Sequence, residues 1–316
     1  MIPGLRHLLA VHDLTREDVQ GLFREAAALK AMRRRALATQ RLSGKTLGLF
    51  FEKPSTRTRV SFEVAMNQLG GRALFLDRQG SQMERGEGIA DTARTLSRYL
   101  DGLMIRTFAQ GDLEAWARHA SVPVINGLTD HAHPCQALSD LLTVRERFGT
   151  LDGIVLAFVG DGNNVAHSLL LAGARTGLTV RVAAPAGYAP DEAVVARARD
   201  DAAKGGGAVV VTRDPKEAVQ GAHVVYTDVW ASMGQEEERT TRERAFAGFQ
   251  VDEALMAQAR ADAVFMHCLP AHRGEEVSAG VMDGPRSVVF DQAENRLHVQ
   301  KAILLRLLAG PAGETP

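Results

Sequence analysis

Thr46-Leu47-Gly48-Leu49-Phe50-Phe51-Glu52-Lys53-Pro54-Ser55-Thr56-Arg57-Thr58-Arg59 holds the join that decides the fold. The mostly apolar run Thr46 to Phe51 reads as a strand buried on both faces. A helix follows from about Ser55, with Phe62, Ala65, Met66 and Leu69 on one face. The same strand-then-helix rhythm continues on both sides. Upstream, Val19, Leu22, Phe23 and Ala26 mark a helix from about Glu17 to Met32. Thr15 and Asp18 open it like a capping box, and Arg33-Arg34-Arg35 reads as its solvated C-terminal end. Downstream come strands at Ala73–Leu76, Leu103–Ile105 and Val122–Ile125. Helices are marked by Ile89, Ala93, Leu96 and Leu100, by a short segment capped at Asp112, and by Ala137, Leu141, Val144 and Phe148. Such alternation implies a parallel sheet covered on both faces.

Phe148-Gly149-Thr150-Leu151-Asp152-Gly153 reads as a domain boundary, after which a second series begins. Its strands are expected at Ile154–Val159, Thr179–Ala183, Ala208–Val211, Val224–Tyr226, Ala263–Met266 and Val288–Phe290. Residues from about Ser232 to Arg244 are polar and aperiodic and read as a long surface loop. A final helix is expected from about Asn295 to Leu308. The fold class is therefore α/β, with two doubly wound parallel-sheet domains. The expected division is residues 1–149, rejoined by a C-terminal helix at 293–309, and residues 150–292.

Length agrees, since 316 residues fit two domains of ordinary size. Hydrophobic residues are 45% and charged residues 24%, which excludes a mostly disordered chain. No apolar run approaches the roughly 18 residues of a membrane span, and Met1 to His7 lack a signal-peptide design. A net charge of -1 gives no basic field for nucleic acid. Cys135 and Cys268 are the only cysteines, so there is no disulfide scaffold and a reducing cytoplasm is the expected location. Thirty-one arginines against six lysines, with five asparagines, fit either a thermophile or a GC-rich genome. Rare types inside a motif then carry more weight.

The chemistry-bearing residues fall where strands end. Ser55, Thr56 and Thr58 offer hydroxyls, and Arg57 and Arg59 offer guanidinium forks, at the start of a helix. The helix's unpaired N–H groups and positive dipole end complete a plausible phosphate cradle. Arg106 follows another strand, where ligands of parallel sheets bind. His131, His133 and Cys135 match no standard zinc spacing, so no metal is expected there. Gly160-Asp161-Gly162-Asn163-Asn164-Val165 opens a helix like a dinucleotide fingerprint, but valine replaces the third glycine. Its asparagine pair suits amide recognition of a polar ligand. Asp228, after Val224–Tyr226, can bind an ammonium group. Cys268, after His267, reads either as an inert core thiol or as a nucleophile.

Together these segments resemble the aspartate/ornithine carbamoyltransferase family over nearly the whole chain, from the first helix to Arg296. Ser55-Thr56-Arg57-Thr58-Arg59 is similar to that family's carbamoyl-phosphate motif, and Lys53 resembles its ornithine branch. The resemblance implies that Ser55, Thr56, Arg57 and Thr58 hold the phosphate. Gln82, in the loop Ser81 to Glu87, is implied to reach a neighbouring subunit's phosphate, with Glu87 orienting Arg57. His133 and Gln136 match a His-Pro-x-Gln motif that contacts the carbamoyl oxygen and amino group, and Arg296 matches a further carbamoyl-phosphate arginine. Thr58, Arg106 and His133 would stabilise the tetrahedral oxygen. Asn164, Asp228, Ser232 and Met233 would bind ornithine, with Asp228 on its α-amino group. Cys268 would lie near the attacking amine, and the Cys268-Leu269 backbone would contact the carbamoyl nitrogen. A cis Leu269-Pro270 bond is also implied.

The activity implied is transfer of a carbamoyl group from carbamoyl phosphate to the δ-amine of L-ornithine, giving L-citrulline and phosphate. It needs no cofactor and no metal. The site is expected in the cleft between the domains, in a homotrimer that shares its active sites, with assembly beyond the trimer left open. Alternatives are another acceptor (aspartate, N-acetylornithine or putrescine), a nicotinamide-dependent dehydrogenase, or a non-catalytic binder.

Overall fold

A computed structural model describes residues 5–35, 39–231 and 236–309. The chain divides into two compact units, with breaks after Ser139 and after Glu294. Residues 295–309 return to the first unit.

In the first unit, α1 (Arg16–Arg34) starts at the Thr15–Asp18 capping box, where Asp18 replaces the longer acid commonly found. There follow β1 (Thr46–Phe51), α2 (Thr56–Gln68), β2 (Arg72–Asp77), α3 (Ile89–Leu96), β3 (Gly102–Arg106), α4 (Gln110–His119) and β4 (Val124–Leu128). The four strands are all parallel, in the order β2-β1-β3-β4. Phe50, Leu103, Ile105, Leu113, Trp116 and Val124 bury one face of this sheet, with the Phe50 and Trp116 rings 5.0 Å apart. α5 (Pro134–Phe148) leads across the first break.

The second unit contains β5 (Val155–Val159), α6 (Asn164–Thr176), β6 (Thr179–Ala183), α7 (Glu192–Gly205), β7 (Ala208–Thr212), α8 (Pro215–Val219) and β8 (Val224–Thr227). α9 (Arg239–Ala245), α10 (Glu253–Met256), β9 (Val264–His267), α11 (Ala279–Met282) and α12 (Val289–Leu308) complete the chain. This five-stranded sheet is also parallel, ordered β7-β6-β5-β8-β9. Val225, Trp230, Phe246, Val251, Phe265 and Val277 are among its core.

Both sheets reverse their winding at one point. From β1 the chain goes first to β2 on one side, then to β3 on the other; from β5 it goes to β6 and β7, then to β8. The connections at such a switch leave a crevice beyond the strands' carboxyl ends. Gln82 follows β2; the other candidate residues that follow a strand follow β1, β3, β4, β5, β8 or β9.

The structure corrects four local expectations. Val288–Phe290 is not a strand: α12 begins at Val289, and Phe290 is 72% exposed. The approach to β9 is an isolated bridge at Ser287, made by Phe265 N to Arg286 O at 2.8 Å and Val288 N to Phe265 O at 3.0 Å. The aperiodic stretch from Ser232 to Arg244 is not loop throughout, because Glu236–Glu238 is a 3-10 turn and α9 starts at Arg239. Its buried face is made by the charged Arg242, which hydrophobic periodicity cannot detect. α4 starts at Gln110 behind Ala109, so Asp112 sits within its first turn and is not its cap. β4 lies later than expected because it runs through Asn126, whose side-chain amide donates to Leu9 O.

Candidate active site

The first group of functional side chains gathers at the β1/β3 switch point. Ser55 caps α2 and accepts from Thr58 N at 3.3 Å. Pro54 precedes the cap and the helix turns immediately after it, so the hydroxyl-rich segment is forced onto the helix's first turn. Thr58 is fully buried. Its hydroxyl oxygen receives Ser55 Oγ at 3.2 Å and Arg296 Nη2 at 2.7 Å. With both lone pairs occupied, the Thr58 O–H is left to donate to a ligand. Arg296 also donates from Nη1 to Gln136 Oε1 at 3.0 Å, so one buried guanidinium ties α2 to α5 from α12.

Arg106 ends β3, where the β3–β4 register shifts between Ile105 and Arg106. The irregularity re-aims the side chain. Its Nε donates to Lys53 O at 3.2 Å, and its own carbonyl accepts Glu52 N at 2.8 Å. Lys53 is buried, pairs with Asp130 and lies 4.3 Å from the Phe108 ring centroid. Glu52 accepts from both Arg78 and Thr107. His133 immediately precedes Pro134 at the start of α5 and is buried beside three guanidinium groups. Burial first, then Arg296, Arg106 and Arg57, hold its imidazole well below the ordinary range. The ring is therefore neutral near pH 7 and can donate a single N–H.

Not every expected residue joins this group. Arg59 is exposed, bonds Glu63 at 2.9 Å and lies over the Phe75 ring, so it is not part of the cradle. Thr56 is exposed at the helix start and Arg57 is half-buried. Gln82 sits exposed in a 3-10 turn, Gln82–Arg85, and Glu87 accepts from Thr92 Oγ1 at 2.6 Å. Cys135 is buried; its thiol donates to Asn126 O at 3.5 Å, and burial pushes it up to about 12, so it is inert.

The second group lies at the β5/β8 switch point. Asn163 caps α6, accepting from Val165 N and Ala166 N, and donates from Nδ2 to Asp228 Oδ2 at 2.8 Å. Asp228 is buried and takes two further bonds on Oδ1, from Val229 N at 2.9 Å and from Cys268 Sγ at 3.0 Å. Asn164 is the first residue of α6 and half-exposed. Of the glycines preceding it, Gly162 is there for fit: a Cβ on it would stand 2.2 Å from Pro190 N. The loop thus packs directly on Ala189-Pro190 backbone. Leu269-Pro270 is cis. Ser232 and Met233 lie outside the described residues.

Arg242 and Glu276, which sequence reasoning did not single out, complete this group with Asp161 and His267, which were quoted only as neighbours of other candidates. Arg242 donates to Asp161 Oδ2 at 2.7 Å, Trp230 O at 2.9 Å and Glu238 Oε2 at 2.9 Å. The buried His267 and Glu276 pair at 3.2 Å. Asp161 and Arg242 are far apart in sequence, and only Asp161's place in the glycine-bearing loop could have signalled it. Asp228, His267 and Cys268 offer ligand atoms within 4.8 Å of one another. Their mutual bonds already engage them: the thiol serves Asp228, and both ring nitrogens of His267 have partners. The set does not call for a cation.

Two family models match the chain. The carbamoyl-P binding domain of aspartate/ornithine carbamoyltransferase matches residues 6–146, and its Asp/Orn binding domain matches residues 152–307. A protein of Symbiobacterium thermophilum named ornithine carbamoyltransferase is 58% identical over 96% of this chain and 98% of its own length. A protein of the same name from Pyrococcus abyssi is 54% identical over 96% of each chain. Among solved structures, ornithine carbamoyltransferase from Pyrococcus furiosus superposes with a TM-score of 0.94 at 53% identity, covering 96% of this chain and 97% of that one. The enzyme from Thermus thermophilus gives 0.87 at 47% identity, covering 96% and 99%. Motif by motif and over almost its full length, the chain belongs to the aspartate/ornithine carbamoyltransferase family.

Proposed function

We propose that this protein transfers the carbamoyl group of carbamoyl phosphate to the δ-amine of L-ornithine, yielding L-citrulline and phosphate. The observation that carries the reading is the buried Arg296–Thr58–Gln136 cluster beside Arg106 and a neutral His133. The names borne by relatives above 50% identity support it, and the dehydrogenase alternative is not favoured by them.

Ser55, Thr56, Arg57 and Thr58 hold the phosphate, with Arg296 behind Thr58. Gln136 takes the carbamoyl amino group through its side-chain oxygen. The amine attacks the carbonyl carbon directly, so no side-chain nucleophile is used. As the C–N bond forms, the carbonyl π pair moves onto oxygen. Thr58 O–H, Arg106 and a His133 N–H face that charge as preorganised donors. The pair then returns, the C–O bond to phosphate breaks and phosphate leaves, taking up the proton lost by the amine. A primary amine of lysine type has a pKa of about 10.4, so the site must favour its neutral form. Asp228 holds the α-ammonium and, with Cys268, shapes the place of the attacking amine. Asn164, Ser232 and the Met233 backbone complete the amino-acid side. Gln82 acts in a neighbouring subunit of a cytoplasmic homotrimer, a role its exposure in the single chain supports.

The test is product formation by purified protein with carbamoyl phosphate and ornithine, aspartate, N-acetylornithine or putrescine, run separately. Citrulline and phosphate are expected in equal amounts with ornithine alone. Turnover with another acceptor refutes the assignment of Asp228 and its following segment. Absence of turnover with all four refutes the enzyme reading.

A further inference from the structure

Leu269 is the sole non-glycine among the described residues with a positive φ, at 63°. A side chain with a Cβ disfavours this left-handed conformation, so the surroundings must hold it. The hold is visible. Leu269 N donates to His267 Nδ1 at 2.8 Å. A neutral imidazole has one N–H, and a ring whose Nδ1 accepts must carry its proton on Nε2. That proton points at Glu276 Oε1, 3.2 Å away. Glu276 is fully buried and is itself fixed by His272 N, which donates to the same oxygen at 2.5 Å. His267 is anchored from its own backbone too, its N–H reaching Gln292 Oε1 at 3.0 Å.

We propose that Glu276 is a positioning residue for the transfer reaction: by fixing the His267 tautomer it holds the Leu269 amide, and with it the Cys268–Leu269 backbone, in the reactive arrangement. This deepens the function proposed above and rests on it. A simple structural role for Glu276 would be to avoid a buried, unsatisfied histidine. The relay demands more, namely that the ring present an acceptor to Leu269. With Glu276 gone, His267 is free to carry its proton on Nδ1, where it would face the Leu269 N–H donor to donor and release the left-handed turn. Burial pushes the Glu276 carboxyl up, but the bonds from His267 and His272 outweigh it and hold it below its ordinary value, so it stays an acceptor at neutral pH.

The experiment compares Glu276→Leu, Glu276→Gln and the double variant Glu276→Leu/His267→Asn. Glu276→Leu is expected to lose about 100-fold in kcat for citrulline formation, the scale of losing one preorganised contact to the reacting group. Its affinity for inorganic phosphate, measured by titration calorimetry, stays at the parent's value because the cradle is in the other unit. Glu276→Gln keeps an acceptor oxygen for Nε2–H and stays within about threefold of the parent. The double variant supplies Asn Oδ1 to Leu269 N–H without needing Glu276, and regains about tenfold over Glu276→Leu. A role in stability alone predicts the opposite, a further loss. Long-range proton–nitrogen spectra of protein labelled with 15N-histidine read the His267 tautomer without reference to activity. Protonated Nε2 is expected in the parent and its loss in Glu276→Leu.

Full activity in Glu276→Leu, no rescue in the double variant, or protonated Nδ1 in the parent overturns the proposal. A parent that makes no citrulline refutes the function above, and the tautomer measurement still decides the relay.

Discussion

Arg242 offers the sharpest test of how the amino-acid side of the site is built. Its side chain is 7% exposed, and that of Asp161, its partner at 2.7 Å, is 12% exposed. The same Nη1 reaches Trp230 O, two residues beyond Asp228, while Asp161 lies two residues before Asn163, the other neighbour of Asp228. Glu238, at 59% exposed, adds little in water. Replacing Arg242 with methionine fills similar space but strands the Asp161 carboxylate. Breaking a buried pair by removing one member costs about 3–5 kcal/mol, and the unserved Trp230 carbonyl about 1 more. The expected loss near neutral pH is therefore about 4 kcal/mol, read from the urea midpoint. Adding Asp161→Asn removes the stranded charge and should restore about 2 kcal/mol.

The pH dependence of the same variant has a definite sign. Burial already pushes the Asp161 carboxyl up, and Arg242 opposes this by its charge and its bond. Without Arg242 the folded-state value rises further. Between the unfolded and folded values the native state binds more protons, so stability falls as pH rises through that window. The deficit of Arg242→Met should therefore shrink when pH is lowered from about 7 to about 5. A loss below about 1 kcal/mol, a further loss on adding Asp161→Asn, or a deficit that grows on acidification would refute the clamp.

Other expectations follow from the carbamoyl-phosphate side and from Asp228. His133 sits well below its unfolded value of about 6.5, so the unfolded chain binds the extra proton and stability falls as pH drops below that value; His133→Gln should flatten this slope in urea midpoints taken across pH. Arg296→Lys puts a point charge where a fork serves both Thr58 and Gln136, and kcat/KM for carbamoyl phosphate should fall about 100-fold in steady-state assays. Cys268→Ser keeps a donor to Asp228 and should retain kcat within about tenfold, which a nucleophilic role would forbid. Asp228→Asn should raise the KM for ornithine by about 100-fold while leaving phosphate affinity unchanged.

The sequence by itself determined the α/β alternation, the strand β1 to the residue, the start of α2 near Ser55 and the positions where chemistry follows a strand. These are local matters: buried parallel strands are continuous apolar runs, and cap residues act on backbone within one turn. The family motifs were legible for the same reason, since each lies within a few consecutive residues. Tertiary structure alone decided which distant residues meet. Arg296 reaches Thr58 across 238 residues and Arg242 reaches Asp161 across 81. No window of sequence reports such a pairing, because burial makes a lone charge costly and only the partner's arrival in space removes that cost. It also decided that α9 is a helix, through a buried charge instead of an apolar stripe, and that Arg59 faces Glu63 and not the cradle. Short-range geometry is written in neighbouring residues; the satisfaction of a buried charge depends on residues that the fold alone brings near.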